Sequence, residues 1–444
     1  MVRAVRVAAL IGAVLAWAVA PNAVLAAECG KGEWIRLPDM SVPRSYPGLA
    51  ALPDGNVLVL GGGSAFWQDK YDGTWDATAS TEVFDFKNWT WLPGPDLNQP
   101  TGDMDTVWLN DGRLLITGGV PMFRTSLGSC DPKPFADVSD TLFYIPVASS
   151  IVFGPSIPKG GTAMATLSAL PDGRALFFGL VKAFFDPVEN SWTPFDVNVP
   201  GLTLVGEGHT ATTLQDGRIL IAGGRGDGVF WNETLIYNPK SNSWKLGPKM
   251  ILGRELHAAA LLANGDVMMI HGNYADANVK RSYVTDIYEV AKNRFVAGPA
   301  TKYGWYKPIA VTLKDGRVMI VGGEIDEFWC NEHPYTEIYD PCTRKWTDGP
   351  HENVTHFEAS AIVLPDGRVF LAGGKDNPVA EIYDPNAGCN TDGGEGTGLE
   401  DSGQVCIAPD EGSDAAGDAG GDSGDGRETA KNAPGCGCVL MTVE

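Results

Sequence analysis

Two short segments carry the side chains best suited to acid–base or metal chemistry. Glu207-Gly208-His209 and Glu255-Leu256-His257 each place a carboxylate two residues before an imidazole, and each His stands seven residues before a turn Asp or Asn. Tyr306 takes the glutamate's place in the next such segment. An imidazole beside a carboxylate can move a proton near neutral pH, and two such pairs brought together could ligate a metal. The plainer reading is that a residue recurring at one repeat position helps to build the unit itself. That reading weighs more, because two His and two Glu make no site until geometry unites them. His356, three residues upstream of the equivalent position, fits either arrangement.

A second group is aromatic. Trp67 and Trp75 lie in segment 64–80, Trp231 in 225–233 and Trp329 in 324–335, all among Asp, Glu and Asn. Indole rings mixed with acids and amides stack on sugar faces, and they also anchor protein partners. The alternative is packing that keeps long loops ordered. The chain has no GxSxG, HExxH or P-loop sequence, and none of its eight cysteines shows CxxC spacing.

The elements that must position these residues follow from a repeat within 444 residues. An apolar strand, an Asp-Gly turn and a second strand ending in Gly-Gly recur at Gly55, Gly112, Gly217, Gly316 and Gly367. Degraded copies stand at Gly173 and Gly265, so successive turn glycines lie 57, 61, 44, 48, 51 and 51 residues apart. Asp-Gly supplies the positive φ angles of a tight hairpin, and runs such as VLVL and ILIA suit strands buried on both faces. A third strand recurs as EVFD (82–85), TLFY (141–144), LIYN (235–238), DIYE (286–289) and EIYD (337–340, 381–384). A fourth begins at Trp91, Trp192, Trp244, Phe295 and Trp346.

This compound motif resembles the kelch repeat, over roughly residues 33–388. The resemblance implies an all-β fold, a seven-bladed β-propeller. The seventh unit lacks a fourth strand, and Glu33-Trp34-Ile35-Arg36 matches the missing one, so the N-terminal strand is expected to close the last blade. Aligned on blade six, Cys29 and Cys389 then fall across one turn, and a Cys29–Cys389 disulfide is expected. The pairing of Cys130, Cys330, Cys342, Cys406, Cys436 and Cys438 stays open.

Kelch propellers include the galactose oxidase-like copper radical oxidases. Their Tyr-His pair corresponds here to Tyr306-Lys307, and their cross-linked cysteine and tyrosine correspond to Tyr46 and Asp103. Only Tyr306 matches, so the resemblance implies a propeller without that copper site, and neither cofactor nor metal is expected.

Composition sets the surroundings. The net charge of −22 argues against nucleic acid as a partner, and 44% apolar residues exclude wholesale disorder. From Cys389 to Glu444 there are 12 acidic and 2 basic residues, 13 Gly and no aromatic residue. The expected organisation is a signal peptide (1–26), a propeller (27–389) and a disordered Gly/Asp-rich tail (390–444). APGCGC (433–438) resembles the C-terminal sorting signals of exported myxobacterial proteins, although the hydrophobic helix that follows them is missing. The expected protein is secreted, periplasmic or held at the cell surface, with no transmembrane segment in the mature chain. It is expected to bind a protein or glycan through its aromatic loop face. The alternative is a carbohydrate-active propeller enzyme, such as a degenerate galactose oxidase-like protein or a sugar epimerase, and for the epimerase Glu207, His209, Glu255 and His257 would be the natural group.

Overall fold

The computed structural model describes residues 32–66, 74–120, 122–125, 132–134, 139–158, 164–200, 207–226, 228–273, 283–323, 333–374 and 377–387. Seven four-stranded antiparallel sheets form the blades of a propeller. Their innermost strands are Gly48–Ala51, Gly102–Trp108, Thr166–Ala169, Thr210–Thr213, Ala258–Leu261, Ile309–Thr312 and Ser360–Val363. Each touches the next, and the last touches the first, so the ring closes around a central channel.

The second strands explain their own sequences. Val57–Leu60, Ala175–Phe178, Ile219–Ala222, Val267–Ile270, Val318–Val321 and Val369–Ala372 are buried at every residue, because a neighbouring blade covers each face. The core is accordingly divided into seven apolar clusters, one in each gap between adjacent blades. Each fully buried aliphatic side chain contributes on the order of 2 kcal/mol to holding blades together.

The ring is closed by the N-terminal strand. Glu33–Arg36 pairs with Ala380–Asp384 in the register Trp34 opposite Tyr383, completing blade 7. Trp34 is buried against Tyr383, with ring centroids 5.5 Å apart. Two strands that the repeat pattern does not single out also appear. Lys182–Asp186 is the third strand of blade 3, and Ser150–Phe153 is the fourth of blade 2, which lacks the leading aromatic residue.

A repeated latch ties the incoming segment to its own blade in blades 1, 5, 6 and 7. An acid at the start of the third strand accepts backbone N–H groups from the inter-blade segment, and a donor a few residues later reaches the same acid. The pairs are Arg44–Glu82 (2.9 Å), Arg254–Asp286 (3.1 Å), Trp305–Glu337 (2.8 Å) and His356–Glu381 (3.1 Å). Ser41, Ile251, Lys302 and Asn353 supply the backbone donors. A buried carboxylate with this many donors meets the demand that buried charge be paired. His356 thus belongs to the latch position and not to that of His209 and His257.

The long connections of blades 1 and 2 build a further sheet. Gly63–Phe66, Thr74–Ala77, Met122–Thr125 and Pro132–Pro134 pair across the two blades. It lies at the end of the molecule where second strands finish and innermost strands begin. The expected signal peptide, tail and Cys29–Cys389 bridge lie outside the described residues. No helix among the described residues is long and apolar enough to cross a membrane.

Candidate functional site at the channel mouth

Each innermost strand is preceded by a residue in the left-handed backbone region. Tyr46 (φ 48°), Asp103 (56°), Met164 (48°), Gly208 (72°), Leu256 (51°), Lys307 (49°) and Glu358 (64°) occupy this place in blades 1 to 7. Every one stands eight residues before its turn Asp or Asn. For a non-glycine residue this conformation costs on the order of 1–2 kcal/mol. Main-chain bonds between blades supply part of the compensation. The Asp103 N–H donates to Tyr46 C=O (3.0 Å), Tyr46 N–H to Glu358 C=O (2.6 Å) and Leu256 N–H to Gly208 C=O (2.8 Å). The backbone is therefore fixed by the ring, while the side chain is free to differ from blade to blade.

These seven residues line one cavity of about 250 Å³ at the mouth of the channel, together with Ala165, His209, His257, Pro308, Ile309 and Ala359. Lys307 Nζ donates to Tyr46 Oη at 3.0 Å and lies 5.6 Å from the Tyr46 ring and 5.5 Å from the Tyr306 ring. The Tyr46 hydroxyl in turn bonds to Glu358, and burial with the Glu358 and Asp103 charges holds its pKa well above the ordinary phenol value. Asp103 is raised to about 6 by burial, with Lys307 and the Met164 N–H pulling the other way. Asp105, two residues along the same strand and on the same face, is raised to about 7 by burial and by Asp103.

The residues expected from sequence are distributed differently. His209 and His257 do line the cavity, but each reaches sideways to the preceding blade: Nε2 of His209 lies 3.1 Å from Thr166 Oγ1, and that of His257 lies 3.0 Å from Thr210 Oγ1. Both therefore staple neighbouring innermost strands. Burial, with Arg254 and His209 nearby, holds His257 well below its ordinary pKa. The backbones of Glu207 and Glu255 bridge to Arg225 and Asn273, and the Glu255 carboxylate accepts from Asn273 Nδ2 (3.2 Å) with Arg225 at 3.6 Å. Neither glutamate lines the cavity, and Tyr306 is buried behind Lys307. Trp231 is buried in the core between blades 3 and 4, so its ring is not displayed on the loop face. The backbone of Trp75 pairs with Ala65 and Phe123 in the loop sheet. Trp67 and Trp329 lie outside the described residues.

Tyr46, Asp103 and Lys307 enter the sequence reading only as departures from a copper pattern, Gly208 and Leu256 only as spacers between a glutamate and a histidine, and Met164 and Glu358 do not enter it. The signal that finds them is positional: the eighth residue before each turn. No residue type recurs there, so motif reading passes over it.

A kelch-motif family profile matches residues 208–251, which begin at the mouth position of blade 4. The chain is 25% identical to a galactose oxidase of Gibberella zeae over 338 residues, covering 68% of this chain and 47% of that protein. It is 28% identical over 186 residues to the kelch-like protein terF of Aspergillus terreus, covering 38% of each. The chain thus spans about half the length, or less, of the curated relatives it matches. A fungal alcohol oxidase of the AA5 family, solved in complex with copper, superposes with a TM-score of 0.58 at 15% identity, over 80% of this chain and 76% of that one. That likeness is one of fold.

Copper enters through that structure, and the mouth of this chain does not fit it. Lys307 directs an ammonium, which has no lone pair, at the Tyr46 oxygen. Burial and carboxylates keep the Tyr46 phenol protonated, and the Nε2 atoms of His209 and His257 are engaged by threonines. Among the described residues no three His, Cys, Asp or Glu are placed to hold a metal ion. The repeat, the closed ring and these likenesses agree: the chain is a kelch-repeat β-propeller of seven blades.

Proposed function

We propose that this propeller is an exported binding protein whose ligand contact is centred on the channel mouth, with the surrounding loops as its rim. The observation that carries the reading is the ring of left-handed positions: one backbone geometry, seven different residue types and one shared cavity. Strained positions held by the surrounding fold, converging on a concave and partly polar pocket, are the usual setting of a binding site. At about 250 Å³ the cavity admits one small molecule, one saccharide unit or one side chain of a protein partner. Thermal-shift screening of monosaccharides, amines and carboxylates tests the reading when run beside Met164→Trp, which fills the cavity. Compounds that stabilise the native protein should lose their effect in the variant. Equal stabilisation of both proteins would place the ligand elsewhere.

A second reading, a carbohydrate-active enzyme, is supported by Asp103, whose carboxyl lies near 6 and faces Lys307. The name of the Gibberella zeae relative makes sugars the first compounds to try. Turnover of a sugar that disappears in Asp103→Asn would favour this second reading.

A further inference from the structure

The mouth is divided by chemistry as well as by blade. Blades 6, 7, 1 and 2 contribute Lys307, Glu358, Tyr46 and Asp103, whereas blades 3, 4 and 5 contribute Met164, Gly208 and Leu256. Asp105 adds a carboxylate roughly 7 Å further along the channel, two strand residues on. Three carboxylates thus stand against one ammonium, and Tyr46 Oη already holds that ammonium at 3.0 Å. His257 adds a further polar atom. It is 5% exposed and lines the cavity, its Nε2 is engaged by Thr210, and its Nδ1 has no hydrogen-bond partner among the described residues. Negative charge on one arc of the mouth therefore faces apolar side chains on the other.

We propose that the channel mouth binds a small amphiphilic ammonium ion, its cationic head against Asp103 and Glu358 and its hydrocarbon body against Met164, Leu256 and Ile309. This deepens, and rests on, the reading of the mouth as the binding site. A carboxylate brought into a half-buried channel favours a cation that can both neutralise it and donate hydrogen bonds to it. The apolar arc selects against a bare inorganic ion, whose hydration shell those side chains cannot replace.

Proton linkage gives the proposal its own signature. Asp103 and Asp105, raised to about 6 and about 7, retain part of their protons near neutrality because burial strips water from the ionised carboxylates and, for Asp105, because the Asp103 charge stands nearby. A bound cation favours the ionised forms, so binding releases protons and tightens as pH rises from about 5.5 to about 7.5. The other groups facing the pair are Tyr46, Lys307 and Glu358 from blades 1, 6 and 7, with Tyr306 behind Lys307 and His209 and His257 across the mouth. Tyr46 is held well above this range and His257 well below its ordinary value, so neither supplies the signal.

Isothermal calorimetry on the full chain, with isopentylamine, 3-methylbutanol and 3-methylbutanoate, separates the charge types at constant shape. The amine should bind at least about tenfold tighter than the other two. Its binding should release protons, measured in buffers of different ionisation enthalpy. Asp103→Asn should weaken it at least about tenfold, and Lys307→Met, which removes the competing ammonium, should tighten it. Opposite signs from two substitutions in one pocket cannot come from a general loss of folding. If the alcohol or the carboxylate binds as well as the amine, and Met164→Trp abolishes that binding, the ligand class is wrong and the site is right. An amine affinity unaffected by pH, or weakened by Lys307→Met, also overturns the ligand class. If no probe binds, and Met164→Trp alters no response in the thermal-shift screen, both readings fall.

Discussion

Lys307 decides the chemistry of the mouth. It supplies the one ammonium among the seven mouth positions, bonds to the Tyr46 hydroxyl and pulls the Asp103 carboxyl back towards ionisation. Lys307→Met should therefore move the Asp103 titration midpoint upward from about 6, as read by carbon NMR of the carboxyl groups. An unchanged midpoint would mean that Lys307 does not act on Asp103. The sequence makes His209 and His257 conspicuous because they repeat, and they repeat because each bonds across to the preceding blade. The residues that differ between blades are harder to see. What is common to Tyr46, Met164 and Lys307 is a φ near 50°, and a dihedral angle leaves no mark on residue type when the ring itself enforces it.

At the scale of elements, strands and turns were legible because their physics restricts composition: glycine where φ is positive, uninterrupted aliphatics where both faces are covered. The latch was only half legible. Its acids recur in EVFD, DIYE and EIYD, but the partners are Arg44, Arg254, Trp305 and His356, which share donor capacity and not identity. Arg254 and Asp286 are both fully buried, so Arg254→Met leaves a carboxylate without its charge partner and should cost about 3–5 kcal/mol in a urea titration. The double change Arg254→Met with Asp286→Leu should recover most of that loss. If the single and double variants are equally unstable, the pair is not the reason. The closing strand is a second element-scale test. Deleting residues up to Arg36 removes Trp34 from the gap between blades 6 and 7 and exposes the edge of Ala380–Asp384. The truncated chain should unfold at lower urea with a broader transition, whereas an unchanged transition would show that the ring does not depend on this strand.

For the whole molecule, several buried groups hold protons more tightly than they would in an unfolded chain. Burial raises Glu352 to about 8, Asp105 to about 7 and Asp103 to about 6. For His356, burial works downward, but the Glu381 hydrogen bond with the Glu352 and Glu381 charges more than offsets it and raises the group. A raised pKa contributes stability that is fully present below the unfolded value and lost as pH rises through the folded one. These groups together predict a melting temperature that falls by several degrees between about pH 5 and about pH 8. Glu381 and His257 are lowered and work in the opposite sense: Glu381 loses its contribution only as pH falls below the ordinary glutamate range, whereas His257 loses its contribution as pH falls through the ordinary histidine range and so offsets part of the fall. A melting temperature that rises across this interval would contradict the protonation pattern.

The propeller brings seven distant segments, spread over more than 300 residues, to one small mouth. This mouth, and not the outer loop surface, is where we propose that the ligand binds. A crystal structure of the full chain soaked with isopentylamine tests it most directly. The amine nitrogen should lie beside the Asp103 carboxylate and the branched end against Met164 and Leu256. An empty mouth, with the amine ordered elsewhere on the loop face, would contradict it.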